Sequence, residues 1–257
     1  MRAPQRLTLS VVPGIPLIAP GDDLGAIIIT AIENAGLEPR DGDIVVVAQK
    51  VVSKAQGRYV NLDTIVPSAS ATELAAKVDK DPRLVEVILS ESVRVVRYKP
   101  HVLIVEHRSG YITANAGVDR SNVDPAPVKD MVLLLPSDPD AFAEGIRAQM
   151  EGHFGRSLGV VVSDSFGRPW RRGTVGVALG SAGISALNDL RGRPDIFGHL
   201  LEVTETALAD EVASAASLLM GQADEAQPVV LVSGLAVAER PVPACILIRP
   251  ASEDLFR

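Results

Sequence analysis

The pattern of this chain predicts an α+β fold, with mixed sheets and helices packed on them. Three observations carry that prediction: helix-period and strand-period segments are interspersed along the whole length, strands come in runs as well as in alternation with helices, and no repeat, low-complexity tract or long linker separates them. A strictly alternating strand–helix order would instead point to a doubly wound parallel sheet.

Taken in order, residues 7–12 read as a strand ended by Pro13-Gly14. Asp22 or Asp23 caps a helix with Leu24, Ile27, Ile28, Ala31, Ile32 and Ala35 on its apolar face, and Gly36 stops it. After the Asp41-Gly42 turn, 44–48 is a buried strand leading to Gln49-Lys50 and Ser53-Lys54. Leu74, Ala75 and Val78 mark a short helix. Asp81 as cap and Pro82 at the first helical position open another, with Leu84, Val85, Ile88 and Leu89 facing inward. Strands are expected at 93–97, 102–106, 111–113 and 132–135. Ser137 or Asp138, followed by Pro139, starts a helix with Phe142, Ile146 and Met150 on one face. Residues 158–163 form a strand that ends in Asp164-Ser165. The glycine- and arginine-rich segment 167–198 follows neither period. Residues 200–203 are expected to run into a helix carrying Leu208, Val212, Ala216 and Leu219, stopped by Gly221, and 229–232 is a further core strand.

At 257 residues the chain can bury a substantial core without disulfides, as a single domain spanning 1–257 or two intimately joined lobes with no visible boundary. Composition of 47% apolar and 22% charged residues excludes bulk disorder. The single cysteine, Cys245, makes no internal disulfide, which suits a reducing compartment. The N-terminus makes a poor signal peptide, and no stretch approaches the roughly 18 apolar residues of a membrane span. A cytoplasmic protein with no membrane partner is the expectation. A net charge of −7 argues against a nucleic-acid partner. Against that acidic background, Arg168, Arg171, Arg172, Arg191 and Arg193 cluster with one acid, Asp189, among them. Guanidinium groups grip phosphate or carboxylate in bidentate fashion, so the cluster suggests a small anion.

The chain has no GxxxxGK(S/T) phosphate loop, no GxGxxG after a strand and no HExxH, and its four histidines lack metal-ligand spacing. Available metal ligands are therefore oxygens, which favours magnesium or manganese over zinc. In VVSDSFGRPWRRG (161–173) an apolar strand delivers the Asp164 carboxylate and Ser165 hydroxyl side by side, with three arginines following. Such a group can hold a hard cation and the phosphates it bridges; the competing reading is a cap with surface ion pairs. In NAGVDRSN (115–122) a glycine permits close backbone approach beside Asp119 and Asn122, although the same residues favour plain turns. Gly14-Ile15-Pro16-Leu17-Ile18 with Gly21-Asp22-Asp23 could seat a flat base, or the acids could simply cap the helix. Lys50 and Lys54 could reach phosphates, and the helix ending at Met220-Gly221 opens into the polar loop Gln222-Ala223-Asp224-Glu225. Together these glycine-bearing polar turns have the makings of a nucleotide site without a phosphate loop.

In order, GIPLI, GDDL, VVVAQKVVSKAQGR, NAGVDRSNV, VVSDSFGRPWRRG, VALGSAGI, ADEVASAASLLMG and the terminal SEDLFR resemble the coenzyme F420-0:L-glutamate ligases, also called F420:gamma-glutamyl ligases. The resemblance runs from Gly14 to the C-terminus. It implies a GTP-dependent ligase that adds L-glutamate to the deazaflavin precursor F420-0 and extends the tail by gamma-linkage. It also implies an α+β fold with intertwined subunits in a homodimer, and activity needing magnesium or manganese, helped by potassium. By position, Asp119 and Asp164 match the ligands of one metal, and Ser165 and Gln222 those of a second. Ile15, Pro16, Leu17, Ile18, Gln49, Lys50, Lys54, Asn122 and the stretch Met220, Gly221, Gln222, Ala223, Asp224, Glu225, Ala226, Gln227 match GTP-contacting positions. Ser165 stands where many members carry threonine, which keeps the hydroxyl. Gln222 stands where some carry glutamate, replacing an anionic ligand by a neutral one for which Asp224 or Glu225 could compensate. Arg168, with Arg171 and Arg172, would hold the transferred phosphoryl group or the precursor's phosphodiester. Rival readings are a metal-dependent phosphohydrolase and a nucleotide-sensing dimer.

Overall fold

β-Branched runs with both faces apolar condense into a central sheet. The computed structural model describes residues 6–123, 130–235 and 240–255. In chain order come β1 (Thr8–Val11), α1 (Leu24–Asn34), β2 (Ile44–Ala48), α2 (Gln49–Ala55) and β3 (Tyr59–Asn61). Next are α3 (Ala69–Val78), α4 (Pro82–Ser90), β4 (Ser92–Lys99), β5 (Val102–His107), β6 (Ile112–Ala114) and β7 (Met131–Leu133). The remainder is α5 (Pro139–Phe154), β8 (Gly159–Gly167), β9 (Thr174–Ala182), β10 (Asn188–Asp189), β11 (Glu205–Thr206), α6 (Leu208–Met220) and β12 (Val229–Ser233). Phe256 and Arg257 of the terminal SEDLFR block lie outside the described residues.

The central sheet has the order β1-β12-β2-β8-β9, with β2 and β8 parallel and every other neighbour antiparallel. Alternate residues serve two cores. Val45, Val47, Val160, Val162 and Leu231 pack beneath Ile28 and Ile32 of α1 and Ile146 and Met150 of α5. Ile44, Val46, Val161, Val230 and Val232 face Ala209, Val212, Ala213 and Ala216 of α6. Burial on both faces explains why these strands read as continuous apolar runs rather than alternating ones. A third cluster, built from residues 60–134, joins α3 and α4 to Leu103, Val105 and Val132. The α+β expectation thus holds in its coarse form of mixed sheets with packed helices.

Capping follows the sequence closely. Asp23 accepts from the Ala26 amide (3.1 Å), Asp81 from Arg83 (2.8 Å) and Asp138 from Ala141 (3.0 Å), each satisfying a donor that the first helical turn leaves open. Two expectations need correction, and the segment after β2, given no element by its sequence, gains one. Residues 200–203 do not run into a helix: Leu200 and Val203 are exposed, β11 pairs back onto β10, and α6 begins only at Leu208. Gln49 to Ala55 form a helical turn directly after β2. The strand through Val162 does not end at Asp164-Ser165 but continues to Gly167, because β9 pairs with it residue by residue. The glycines and arginines around that hairpin hide its period.

Candidate active site

Strand directions gather one set of chain ends. β1 and β12 are antiparallel, as are β12 and β2, so β1, β2 and β8 all finish at the same edge, where β12 begins. Outside the carboxyl ends of such strands is where open α/β sheets place ligands. A cavity of about 740 Å³ lies there. Its lining includes Ile15, Pro16, Leu17 and Ile18 after β1, and Gln49, Lys50 and Lys54 from α2. Ser163, Asp164 and Ser165 of β8 contribute, as do Asp119, Asn122 and the whole of 220–227 between α6 and β12.

A register shift between Val162 and Ser163 leaves Leu179 of β9 unpaired, immediately before Asp164. The Tyr111 hydroxyl donates to the Leu179 carbonyl at 2.7 Å, pinning this bulge from the third cluster's side. Bulges re-aim the side chains beside them, which suits a strand that must turn a carboxylate into a cleft. Gly176 opposite Ser165 has no room for a side chain: a Cβ there would meet the Ala213 carbonyl at 2.3 Å, so glycine lets α6 lie close on β9.

Two carboxylates and one lysine set the electrostatics. Lys50 Nζ lies 2.7 Å from Asp119 Oδ2 and donates to Ser121 Oγ at 2.7 Å. The Ser121 amide donates to Asp119 Oδ1 at 2.7 Å and its hydroxyl to Oδ2 at 3.1 Å. Burial opposes the charge on Asp119, but the Lys50 and Ser121 hydrogen bonds outweigh it and hold its pKa below the ordinary carboxylate value. Asp164 is the reverse case. Enclosure of its carboxyl group pushes its pKa up to about 6, the Ser165 amide and Lys50 oppose that rise, and the Asp119 charge adds to it. The Ser165 amide donates to its Oδ1 at 2.7 Å.

The wall made by 220–227 is tied to the Asp119 segment, since Asn122 Nδ2 donates to the Ala223 carbonyl at 3.1 Å. Glu225 folds back to accept from the Ala223 amide at 2.8 Å, a turn that Gly221 permits because a Cβ there would strike the Glu225 carboxylate. Gln49 is buried and accepts from Ser53 Oγ at 2.9 Å, while Leu17 stands exposed. Every residue that the family resemblance matched to nucleotide or metal therefore lines one cavity. Arg168, by contrast, lies on the β8–β9 turn beyond the lining, its Nη1 donating to the Gly173 carbonyl at 3.1 Å. Asp22 and Asp23 are engaged with the Ala19 and Ala26 amides and act as local caps. Sequence reasoning missed Thr174, Gly176 and Ser217 of the lining. Only the pairing of β9 with β8, and the packing of α6 over it, brings them in.

The donors fit a hard divalent cation. Asp119, Asp164, the Ser165 hydroxyl and the Gln222 amide carbonyl all offer oxygen, and Asp119 and Asp164 are close enough to feel each other's charge. Among the described residues no group of three or more His, Cys, Asp and Glu side chains is placed to hold a metal ion. Two carboxylates alone would leave coordination positions for phosphate oxygens and water, as magnesium sites usually do.

Fold and site together define a class: mixed-sheet α/β proteins whose large cleft, at the carboxyl edge of the central strands, combines carboxylates, lysines and an apolar wall. The chain belongs to the F420-0:gamma-glutamyl ligase family, whose model matches residues 14–234. It is 44% identical to the coenzyme F420:L-glutamate ligase of Methanothermobacter thermautotrophicus over 98% of this chain and 99% of that protein. The corresponding ligase of Methanopyrus kandleri is 45% identical over 97% and 98%. That of Haloarcula marismortui is 44% identical over 96% and 91%. Among the described residues no helix is long and apolar enough to cross a membrane.

Proposed function

We propose that this chain joins L-glutamate to F420-0 in the formation of coenzyme F420, using GTP, first through an amide bond and then through gamma-linked additions. The observation that carries the reading is the union, in one cavity, of the Asp119–Lys50 pair, the enclosed Asp164 and the 220–227 loop. Asp119 and Asp164 would hold one divalent cation, Mg²⁺ or Mn²⁺, and Ser165 with Gln222 a second. Bound there, such ions neutralise charge that builds on transferring phosphate oxygens. Potassium dependence belongs to the same reading, with no residue assigned to it.

The chemistry needs an activated acyl group, because a carboxylate and an amine do not condense at neutral pH. The carboxylate oxygen of F420-0 attacks the γ-phosphorus of GTP, forming an O–P bond as the bond to GDP breaks. The glutamate nitrogen then attacks the acyl carbon, the C–O bond to phosphate breaks, and the ammonium proton passes to solvent or phosphate. The protein's part is positioning and charge. Lys50 and Lys54 steer the phosphates, the 15–18 turn and 220–227 loop flank the nucleotide, and Arg168 meets the transferred group or the acceptor.

The test is mass spectrometry of F420-0 incubated with the protein, L-glutamate, GTP and Mn²⁺, beside reactions lacking GTP. GTP-dependent mass additions of glutamate size, with GDP formed alongside, are expected. GDP release without any addition would overturn the reading in favour of a hydrolase. A homodimer is part of the proposal, supported by the arm around β10 and β11, where Ile196 is 92% and Phe197 80% exposed. Light scattering should find a dimer, and Phe197→Asp should shift it towards monomer; an unchanged mass would remove the arm from the interface.

A further inference from the structure

The β8–β9 hairpin does not stop at the cavity. Asp164, Ser165, Thr174 and Gly176 line the cavity, and the same two strands carry the turn from Arg168 to Gly173 past its wall. Phe166 anchors the hairpin by an edge-on contact with Tyr111 (centroids 6.0 Å apart, planes at 80°). At the tip Trp170 is 87% exposed and holds φ = +65°, a conformation that a bulky side chain adopts only under strain. Strained, exposed residues beside a cavity are characteristic of ligand clamps.

The tip also concentrates positive charge. Arg171 and Arg172 are exposed and Arg168 donates to the Gly173 carbonyl; among the described residues none of the three makes an ion pair. Arg191, from the same arginine-rich stretch, is by contrast paired with Asp189 at 2.6 Å and Glu205 at 3.5 Å. Three guanidinium groups without such a pair, around an indole and next to a phosphate-handling cleft, complement a ligand that is both planar and anionic.

We propose that the Arg168–Gly173 tip is the docking site of the carboxylate-bearing acceptor, with Trp170 stacking on its flat ring system and Arg171 and Arg172 gripping its phosphodiester. This rests on the ligase reading above and deepens it. The nucleotide occupies the cavity between α2 and the 220–227 loop, and the acceptor approaches from the hairpin side, so its carboxylate reaches the γ-phosphate near Asp164.

Steady-state kinetics of ligation separates the two substrates. In Trp170→Ala the KM for F420-0 should rise about tenfold or more, as loss of an aromatic stacking platform implies, while the KM for GTP stays within about twofold of wild type. Trp170→Phe should recover most of the loss. Arg171→Gln/Arg172→Gln should also raise the acceptor KM and weaken its dependence on ionic strength. An unchanged acceptor KM in both Trp170→Ala and the double arginine variant would overturn the proposal, as would a change of oligomeric state in Trp170→Ala without a change in that KM. A wild-type protein that forms no product counts against the ligase reading instead. In that event the chain's single tryptophan still reports: saturable quenching by F420-0 that is lost in the double arginine variant supports the docking site, and its absence overturns it.

Discussion

Asp164 and Asp119 show how two identical side chains acquire different properties from their surroundings. Asp119 is held by Lys50 and two Ser121 hydrogen bonds, and it ionises more readily than a free carboxylate. Asp164 is enclosed, receives one amide hydrogen bond, and faces the Asp119 charge, so its ionised form is disfavoured. A cation arriving between them would relieve that penalty, which makes Asp164 the more sensitive ligand. Asp164→Asn should therefore abolish metal-dependent ligation while leaving the fold intact. Because the amide removes a buried charge, the variant without added metal should be no less stable than wild type, and more stable by on the order of 1 kcal/mol at neutral pH. Urea denaturation in the presence of a chelator checks this, and a large loss of stability would show Asp164 to be a structural anchor.

The elements were legible wherever apolar period and capping chemistry agreed. β2 emerged because Ile44, Val45, Val46 and Val47 are all buried, and α4 and α5 because Asp81-Pro82 and Asp138-Pro139 mark their starts. β9 was not legible, since Gly176 and Gly180 interrupt its apolar pattern for reasons that lie in other elements. A Cβ at Gly176 would meet the Ala213 carbonyl of α6, and one at Gly180 the Pro139 carbonyl of α5 at 2.3 Å. Site residues presented as motifs on β2, β8 and the 115–122 turn were readable, whereas Thr174 and Ser217 became visible only through packing. Glycine-to-alanine changes distinguish the two kinds of glycine. Gly176→Ala forces the α6 backbone away from β9 and should destabilise by about 1–3 kcal/mol or more. Gly145→Ala, inside α5 with nothing within 4 Å of the new methyl group, should stabilise by about 0.5–1 kcal/mol. Opposite signs in thermal or urea unfolding are expected; equal effects would mean that the α6–β9 approach does not limit this packing.

At the scale of the whole molecule, the third cluster must keep a fixed relation to the central sheet, because Asp119 comes from its side of the cleft and Asp164 from the sheet. A buried polar group contributes to that relation. Arg58, in the segment leaving α2, donates to Glu91 Oε2 at 2.8 Å and to the Leu135 carbonyl at 3.0 Å. His107 at the end of β5 brings Nε2 to 3.7 Å from the same Glu91 oxygen, and its Nδ1 accepts from the Ser109 amide at 3.0 Å. That last bond requires Nδ1 to carry no proton, so the ring is neutral. Burial pulls the His107 pKa down, Glu91 pulls it up, and Arg58 and Arg108 pull it down again, leaving it below the ordinary histidine value. The unfolded chain therefore takes up a proton at His107 before the folded chain does. The stability that depends on this residue is complete above the unfolded pKa of about 6.5 and declines as pH falls from there towards the folded value. His107→Gln keeps an acceptor for the Ser109 amide but cannot titrate. Between pH 7 and pH 5 wild type should lose more stability than the variant in urea denaturation. Parallel pH profiles for the two proteins would show that His107 titrates alike in the folded and unfolded chains.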